Sequence, residues 1–232
     1  MKNLIVFVVA IGLLNSVSVL AQEQWRSIEG SGNIVNVKPD VIDFDKIEVD
    51  FSAKVLIRIG QAKSLDIEID DNLSDFLLIQ GDNKEHKLTF KLDKKKLGSN
   101  TWLKNNNIVI KVTMPEMSVY TQKSNGEAQI VGLNGRYFRA ENFGNGDILL
   151  RGSKVDVLDI DLKGNGDVDA VDLTAAKAKV NLKGNGNVRF NASETYEVDL
   201  YGNGDVENTG LGIATRINRV GNGSVKSNKM TK

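Results

Sequence analysis

A four-residue unit that returns six times is the feature that most restricts what this chain can fold into. Aligned on its second glycine, it falls at Gly126, Gly146, Gly166, Gly186, Gly204 and Gly223, with spacings of 20, 20, 20, 18 and 19 residues. The first copy is Ser124-Asn125-Gly126-Glu127. The others are Gly144-Asn145-Gly146-Asp147, Gly164-Asn165-Gly166-Asp167, Gly184-Asn185-Gly186-Asn187, Gly202-Asn203-Gly204-Asp205 and Gly221-Asn222-Gly223-Ser224. The flanks keep the same phase. Two residues after each aligned glycine stand Ala128, Ile148, Val168, Val188, Val206 and Val225. Before the corners, Ile160 and Leu162, Val180 and Leu182, and Val198 and Leu200 alternate with Asp161, Asn181 and Asp199. An alternation of period two is that of a strand with one buried face.

Two architectures accommodate such a repeat. Asn-Gly is a strong hairpin signal, so a meander of antiparallel hairpins is one. The other is a β-solenoid, in which each repeat is one coil and equivalent residues stack in columns. Near-constant length and preserved phase favour the solenoid, with arms of about five residues on each side of the corner. In that reading Gly-Asn-Gly is a corner. Glycine lets the chain bend sharply beneath the coil above it. Asparagine tolerates the left-handed region and can bond to the next asparagine in its column. The following Asp or Asn can accept backbone N–H groups. Composition agrees: 22 glycines, two prolines and 6% aromatics suit short strands and tight turns.

Upstream the corner unit is absent from about Val41 to Met117. Alternating strands are expected over 41–51, 55–59, 65–69, 87–92 and 108–114, with a short helix or turn over 72–78 that Asn72 would cap. Gly30-Ser31-Gly32-Asn33-Ile34 fits the corner pattern with Ser in place of Asn. The expected organisation is a signal peptide over 1–21, a β-rich part over 22–116 that caps the stack, a solenoid over 117–227 and a polar tail over 228–232. The cap is needed because an open solenoid end exposes strand edges. Lys226-Ser227-Asn228-Lys229 is expected to protect the other edge. The signal reading rests on Lys2, the apolar run Leu4–Leu14 and Val19-Leu20-Ala21 before Gln22. That run is too short to span a bilayer, and about 210 residues remain after cleavage, without a transmembrane helix. There is no cysteine, which excludes disulfides, thiolate metal sites and an N-terminal lipid anchor on cysteine. With 30 basic and 30 acidic residues, nothing steers the chain toward nucleic acid.

With these residues in place, the sequence resembles the auto-transporter adhesin, head GIN domain family. The resemblance is carried by the serial Gly-Asn-Gly-Asp/Asn-Val/Ile units, by Phe44–Val49 leading into Lys54–Gln61, and by Asp71-Asn72-Leu73. It covers roughly residues 30 to 227. It implies a right-handed, parallel β-helix-like fold, export in Bacteroidetes-type bacteria and an adhesive role. Only seven residues follow Val225 in this sequence, too few for a membrane barrel of its own.

The chemistry to be expected is sparse. Asp147, Asp167 and Asp205 should share one column and are the candidate cation ligands. Asn187 and Ser224 interrupt that column, so hydrogen bonding to the turn backbone is the favoured role. Gly144-Asn145-Gly146-Asp147 lacks the third glycine and the following helix of a dinucleotide loop. A carbohydrate-active lyase or hydrolase is the enzymatic alternative. It would need converging carboxylates, whereas the outward Asp169, Asp172, Lys177 and Lys179 read as a solvated face. His86, the only histidine, lies in a polar turn. Trp102, in Lys94–Lys104, is the candidate surface-binding residue, because an indole face stacks on sugars and cations. The competing reading folds Trp102 back onto the sheet. The expected function is therefore an exported, all-β, non-enzymatic module without a cofactor, in the periplasm, on the outer membrane or outside the cell. Its surface would meet a glycan or an envelope protein, with a structural envelope spacer as the remaining alternative.

Overall fold

The computed structural model describes residues 25–40, 43–98 and 100–228. The expected signal segment, Val41-Ile42 and the tail from Lys229 onward lie outside the described residues. Ten strands precede the glycine corners: β1 (Arg26–Glu29), β2 (Ile34–Val37), β3 (Lys46–Val49), β4 (Lys54–Ile59), β5 (Ser64–Asp70), β6 (Leu77–Asp82), β7 (Lys87–Leu92), β8 (Thr101–Lys104), β9 (Val109–Met114) and β10 (Val119–Gln122). A 3-10 turn, Asp71–Phe76, separates β5 from β6, and one helical turn, α1 (Lys94–Leu97), precedes β8. Then come β11 (Glu127–Asn142), β12 (Ile148–Gly164), β13 (Val168–Gly184), β14 (Val188–Gly202), β15 (Val206–Asn208), β16 (Ile213–Val220) and β17 (Val225–Ser227).

The fold is all-β, a solenoid of about 5 turns with ~20-residue coils. Equivalent residues stack in register and in parallel: Ala128 on Ile148, Ile148 on Val168, Val168 on Val188, Val188 on Val206, and Val206 on Val225. A hairpin meander would have made these pairs antiparallel. The arms are longer than the alternation alone suggests, since β11 to β14 span 16, 17, 17 and 15 residues. Each coil from Ser124 onward has one glycine corner. Opposite it, the strand bends through register shifts, as between Leu149 and Lys154. Bulges bend a strand without a fixed turn residue, so Val131-Gly132-Leu133, Arg151-Gly152-Ser153 and Val171-Asp172-Leu173 share no signature. The shorter spacing from Gly186 to Gly204 is absorbed there too, where Ala170 pairs with Phe190 and Thr174 with Asn191.

Inside the coils, alternate side chains make a narrow apolar core. Ile160, Val180 and Val198 stack in one column and Leu162, Leu182 and Leu200 in the next, all fully buried. Volume is balanced between neighbouring coils. Ala170 and Ala178 on one coil face Phe190 and Tyr196 on the next, whose rings meet edge-on at 5.4 Å and 73°. Such pairing keeps interior packing dense.

Hydrogen bonding does not break at residues 116–117. β3 and β4 pair in parallel with β10 and β11 on one side and with β7 and β9 on the other. Residues 46–59 thus form a coil inserted between residues 87–114 and 119–131, out of chain order. Ser118, on the link that steps past this coil, donates its N–H to Asp45 O at 2.8 Å. Beyond it, strand direction reverses: β5 lies antiparallel on β9, β2 on β5, and β6 on β7. The parallel stack is therefore closed at this end by antiparallel strands.

Three local expectations need correction. Gly30–Asn33 is not a stacked corner but a linker wrapped around Asp70, whose Oδ1 accepts the Gly32 N–H at 2.8 Å. Asn72 does not cap a helix. It sits inside the 3-10 turn that follows Asp70, with its Nδ2 donating to Glu29 O at 2.9 Å. The helix or turn expected over 72–78 is the 3-10 turn Asp71–Phe76, and residues 77–78 belong instead to β6, which pairs with β7. At the other end, β17 pairs among the described residues with β15 alone, and Lys226 reaches Asp205 at 3.4 Å. Leu211, Ile213, Ile217 and Val220 remain exposed there, so the polar segment leaves much of that end uncovered.

Candidate functional site

Stacking places the corner asparagines in one outward column. Each donates its side-chain Nδ2 to the Oδ1 of the asparagine one coil earlier: Asn145 to Asn125 at 3.0 Å, Asn165 to Asn145 at 2.7 Å, Asn185 to Asn165 at 2.8 Å, Asn203 to Asn185 at 2.9 Å and Asn222 to Asn203 at 3.1 Å. Each inner amide gives one bond and accepts one, which is the arrangement that makes amide ladders additive. The glycines on either side bring successive corners into near contact. A Cβ on Gly144, Gly146, Gly164, Gly166, Gly184, Gly186, Gly202, Gly204, Gly221 or Gly223 would lie between 1.7 and 2.2 Å from a carbonyl oxygen of the preceding coil. Replacing Asn165 by Ala, which deletes two ladder bonds, should cost about 1–2 kcal/mol. Replacing the terminal Asn222, which deletes one, should cost about half as much. Urea unfolding midpoints check the ratio, and equal losses would contradict a ladder.

The neighbouring column contains the candidate cation ligands. Asp147 Oδ1 accepts the Asp167 N–H at 2.8 Å, Asp167 Oδ1 the Asn187 N–H at 2.7 Å, Asn187 Oδ1 the Asp205 N–H at 2.9 Å, and Asp205 Oδ1 the Ser224 N–H at 2.8 Å. The hydroxyl and N–H of Ser224 hold the Asp205 carboxyl below the ordinary aspartate range. Each carboxylate or amide thus serves the backbone of the next coil, and interruption by Asn187 and Ser224 preserves the bond. No group of three or more acidic or histidine side chains fit to hold a metal occurs among the described residues. A melting temperature unchanged between calcium and a chelator is the expected outcome.

The outward face of the strand segments leading into the corners is an ion-pair lattice. Arg139 bonds Glu141 at 2.7 Å and Asp159 at 2.9 Å and approaches Asp161 at 3.6 Å. Asp161 also accepts from Lys163 at 2.8 Å and Asn181 at 3.1 Å. Arg216 of β16 clasps Glu197 and Asp199 of β14, at 2.9 and 2.8 Å, and its hydrogen bonds push the Asp199 carboxyl down. Acids in this lattice are engaged along a sheet rather than converging across a cleft, as a glycosidase pair would require. His86 sits with φ 50° in the turn between β6 and β7.

Trp102 does not fold back. Strands β1 and β8 form a separate two-stranded parallel sheet, with Ser27 opposite Trp102 and Glu29 opposite Lys104. Ile28 and Leu103 turn inward against the core. The alternation places Trp25, Ser27, Glu29, Trp102 and Lys104 on the outer face. The indoles of Trp25 and Trp102 lie 6.2 Å apart, inclined at 51°, and are 67% and 49% exposed. The sequence reading missed Trp25, because only the parallel pairing of two strands some 75 residues apart in the sequence brings it to Trp102. It also missed Asp70. Burial pushes that carboxyl up, but the N–H groups of Asn107 and Gly32 outweigh burial and hold it below the ordinary aspartate value. These bonds, at 2.8 Å each, tie the loops after β8 and β1 to the end of β5.

Comparison with known proteins follows the same outline. A crystal structure titled as a putative adhesin from Bacteroides fragilis NCTC 9343 superposes with a TM-score of 0.67 at 21% identity, covering 86% of this chain and 99% of that one. One titled as a putative lipid binding protein from Parabacteroides distasonis ATCC 8503 gives 0.52 at 20% identity, covering 88% and 100%. A putative adhesin from Parabacteroides merdae ATCC 43184 gives 0.51 at 14%, covering 88% and 100%. At these identities the likeness concerns the fold. No curated protein matches the sequence. The family described as "Putative auto-transporter adhesin, head GIN domain" matches residues 43–212, and the chain belongs to that family.

Proposed function

We propose that the protein is an exported, non-enzymatic module that presents a rigid solenoid surface for adhesion or for contacts within the cell envelope. The observation that carries this reading is the engagement of the outward acids. Asp147, Asp167, Asp161 and Asp199 hold neighbouring coils together, which leaves them as structural groups rather than a general acid and base. The family's adhesin description and the adhesin titles of two fold relatives support the same reading. The corner residues Gly144 to Gly223 act in it as scaffold, and the column of Asp147, Asp167 and Asp205 as backbone acceptors.

Beads coated with the protein test this directly, on intact bacterial cells and on isolated envelopes. Retention above an uncoated control, with no new reducing ends or unsaturated uronate in the polysaccharides present, is the expected result. Turnover of a polysaccharide would establish the lyase or hydrolase alternative. Absence of retention on every surface would leave the spacer role.

A further inference from the structure

The two tryptophans of the chain stand together, exposed, on the small β1–β8 sheet at the capped end of the solenoid. An exposed indole pair is a costly surface for a monomer to keep, since large apolar groups usually gain by burial. Neither ring is covered by a cation of the chain: the two cation–π contacts among the described residues are Lys163 over Phe143 and Lys183 over Tyr201. The segments that form and lead into this sheet are unbalanced in charge although the whole chain is neutral, and a turn closed by the Thr101 N–H on Gly98 O at 3.3 Å joins α1 to the start of β8. Residues 25–29 and 93–104 carry Arg26, Lys94, Lys95, Lys96 and Lys104 against Glu29 and Asp93. Both acids are already occupied. Glu29 accepts from Asn105 at 2.7 Å, and Asp93 caps α1 by accepting the N–H groups of Lys95 and Lys96 at 2.9 and 3.3 Å. Of the cations, Lys96 is spent on Asp75 O at 3.0 Å. Lys104 stands two residues from Trp102, on the same face of β8.

We infer that Trp25 and Trp102 form the contact platform for an acidic polysaccharide, with sugar rings stacked on the indoles and carboxylates held by Lys104 and by Lys94 and Lys95 of α1. This rests on the adhesive reading above and assigns it a place and a ligand class. Two chemical facts select the ligand. Pyranose rings offer C–H faces of partial positive charge, which the negative face of an aromatic ring attracts as it attracts a cation. Their hydroxyls require donors and acceptors beside the rings, and the Ser27 hydroxyl, opposite Trp102, can serve as either on the same face. An anionic membrane would satisfy the lysines, but it would have to seat the Glu29 carboxylate next to the indoles at its interface, which is unfavourable.

Because both tryptophans of the chain sit in the platform, intrinsic fluorescence reports the site in the unmodified protein. Titration with polygalacturonate at low salt should shift and quench the emission, and dextran should leave it unchanged. Trp25→Ala and Trp102→Ala should each weaken binding by about tenfold or more in calorimetry, as central aromatic anchors do. Lys104→Gln should weaken it by about threefold and flatten its salt dependence. Far-UV circular dichroism of each variant, expected to match the wild type, reports folding independently. Absence of polygalacturonate binding, binding indifferent to both tryptophans, or tryptophan-dependent binding to phosphatidylglycerol vesicles in its place would each overturn the assignment. Bead retention that persists in the Trp25→Ala/Trp102→Ala double variant would overturn it while leaving the adhesive reading intact.

Discussion

Gly166→Ala is expected to destabilise the solenoid by about 3 kcal/mol or more, near the upper end of what single overpacking substitutions do. The new Cβ would lie 2.0 Å from Gly146 O and 2.8 Å from Asn145 C. Both are backbone atoms of the previous coil, which cannot yield without opening the stack. The cause is close approach, not dihedral freedom, because Gly166 is not among the positive-φ glycines. Gly135→Ala is the informative control. Gly135 has φ +128 and nothing within 4 Å of its ideal Cβ, so substitution there meets backbone strain alone, about 1–2 kcal/mol. For a chain of this size 3 kcal/mol lowers the melting temperature by about 6–12 °C. Equal losses at the two glycines would show that corner stacking is not what requires glycine at Gly166.

Asp70→Ala is expected to cost about 2 kcal/mol, because it removes the acceptor of the Gly32 and Asn107 N–H groups and empties a fully buried position. Its pH dependence has a definite sign. The folded-state pKa of Asp70 is lowered relative to the unfolded chain, so its contribution is complete above the unfolded value, about 4. It is lost as pH falls through the folded value. The gap in stability between wild type and Asp70→Ala should therefore be constant from pH 5 to 8 and shrink in acid below about pH 4. Glu48 acts in the same direction: burial raises its pKa, but Lys123 and Lys87 more than offset this. A gap that widened on acidification would contradict the account. Asp70 also anchors the loops that follow β1 and β8, so this variant should blunt the tryptophan platform while leaving the coils from Gly144 onward in place.

The coils were legible because a solenoid repeats its physics. One corner is ambiguous between hairpin, ligand loop and coil, but six in constant phase favour stacking, and the parallel register of the coils bears it out. Asn165 and Gly166 could be assigned from that regularity, as could the inward Val180 and Leu182. The bulged bend opposite each corner was not legible, because at Arg151–Ser153 and Val171–Leu173 many side chains satisfy the same geometry. Nor was the insertion of residues 46–59 between later coils. Its corner, Phe51-Ser52-Ala53, has no Gly-Asn-Gly, yet Ala53 lies directly against Gly126, where a Cβ would meet Ala53 O at 2.2 Å. Trp102 stood out by composition. Its partner Trp25 did not, since nothing local in Trp25-Arg26-Ser27 announces a parallel partner so far along the chain.

The claim that the Gly-Asn-Gly column turns the chain rather than binds a ligand is tested most directly by scanning calorimetry. The triple variant Asn145→Ala/Asn165→Ala/Asn185→Ala would be compared with the wild type in calcium and in a chelator. Removing these amides breaks the contacts from Asn125 to Asn203, so the variant should melt about 5–15 °C lower. The wild type should melt at the same temperature in both solutions. A wild type stabilised by calcium, with a variant that melts alongside the calcium-free wild type, would mean that the corners are a ligand site after all.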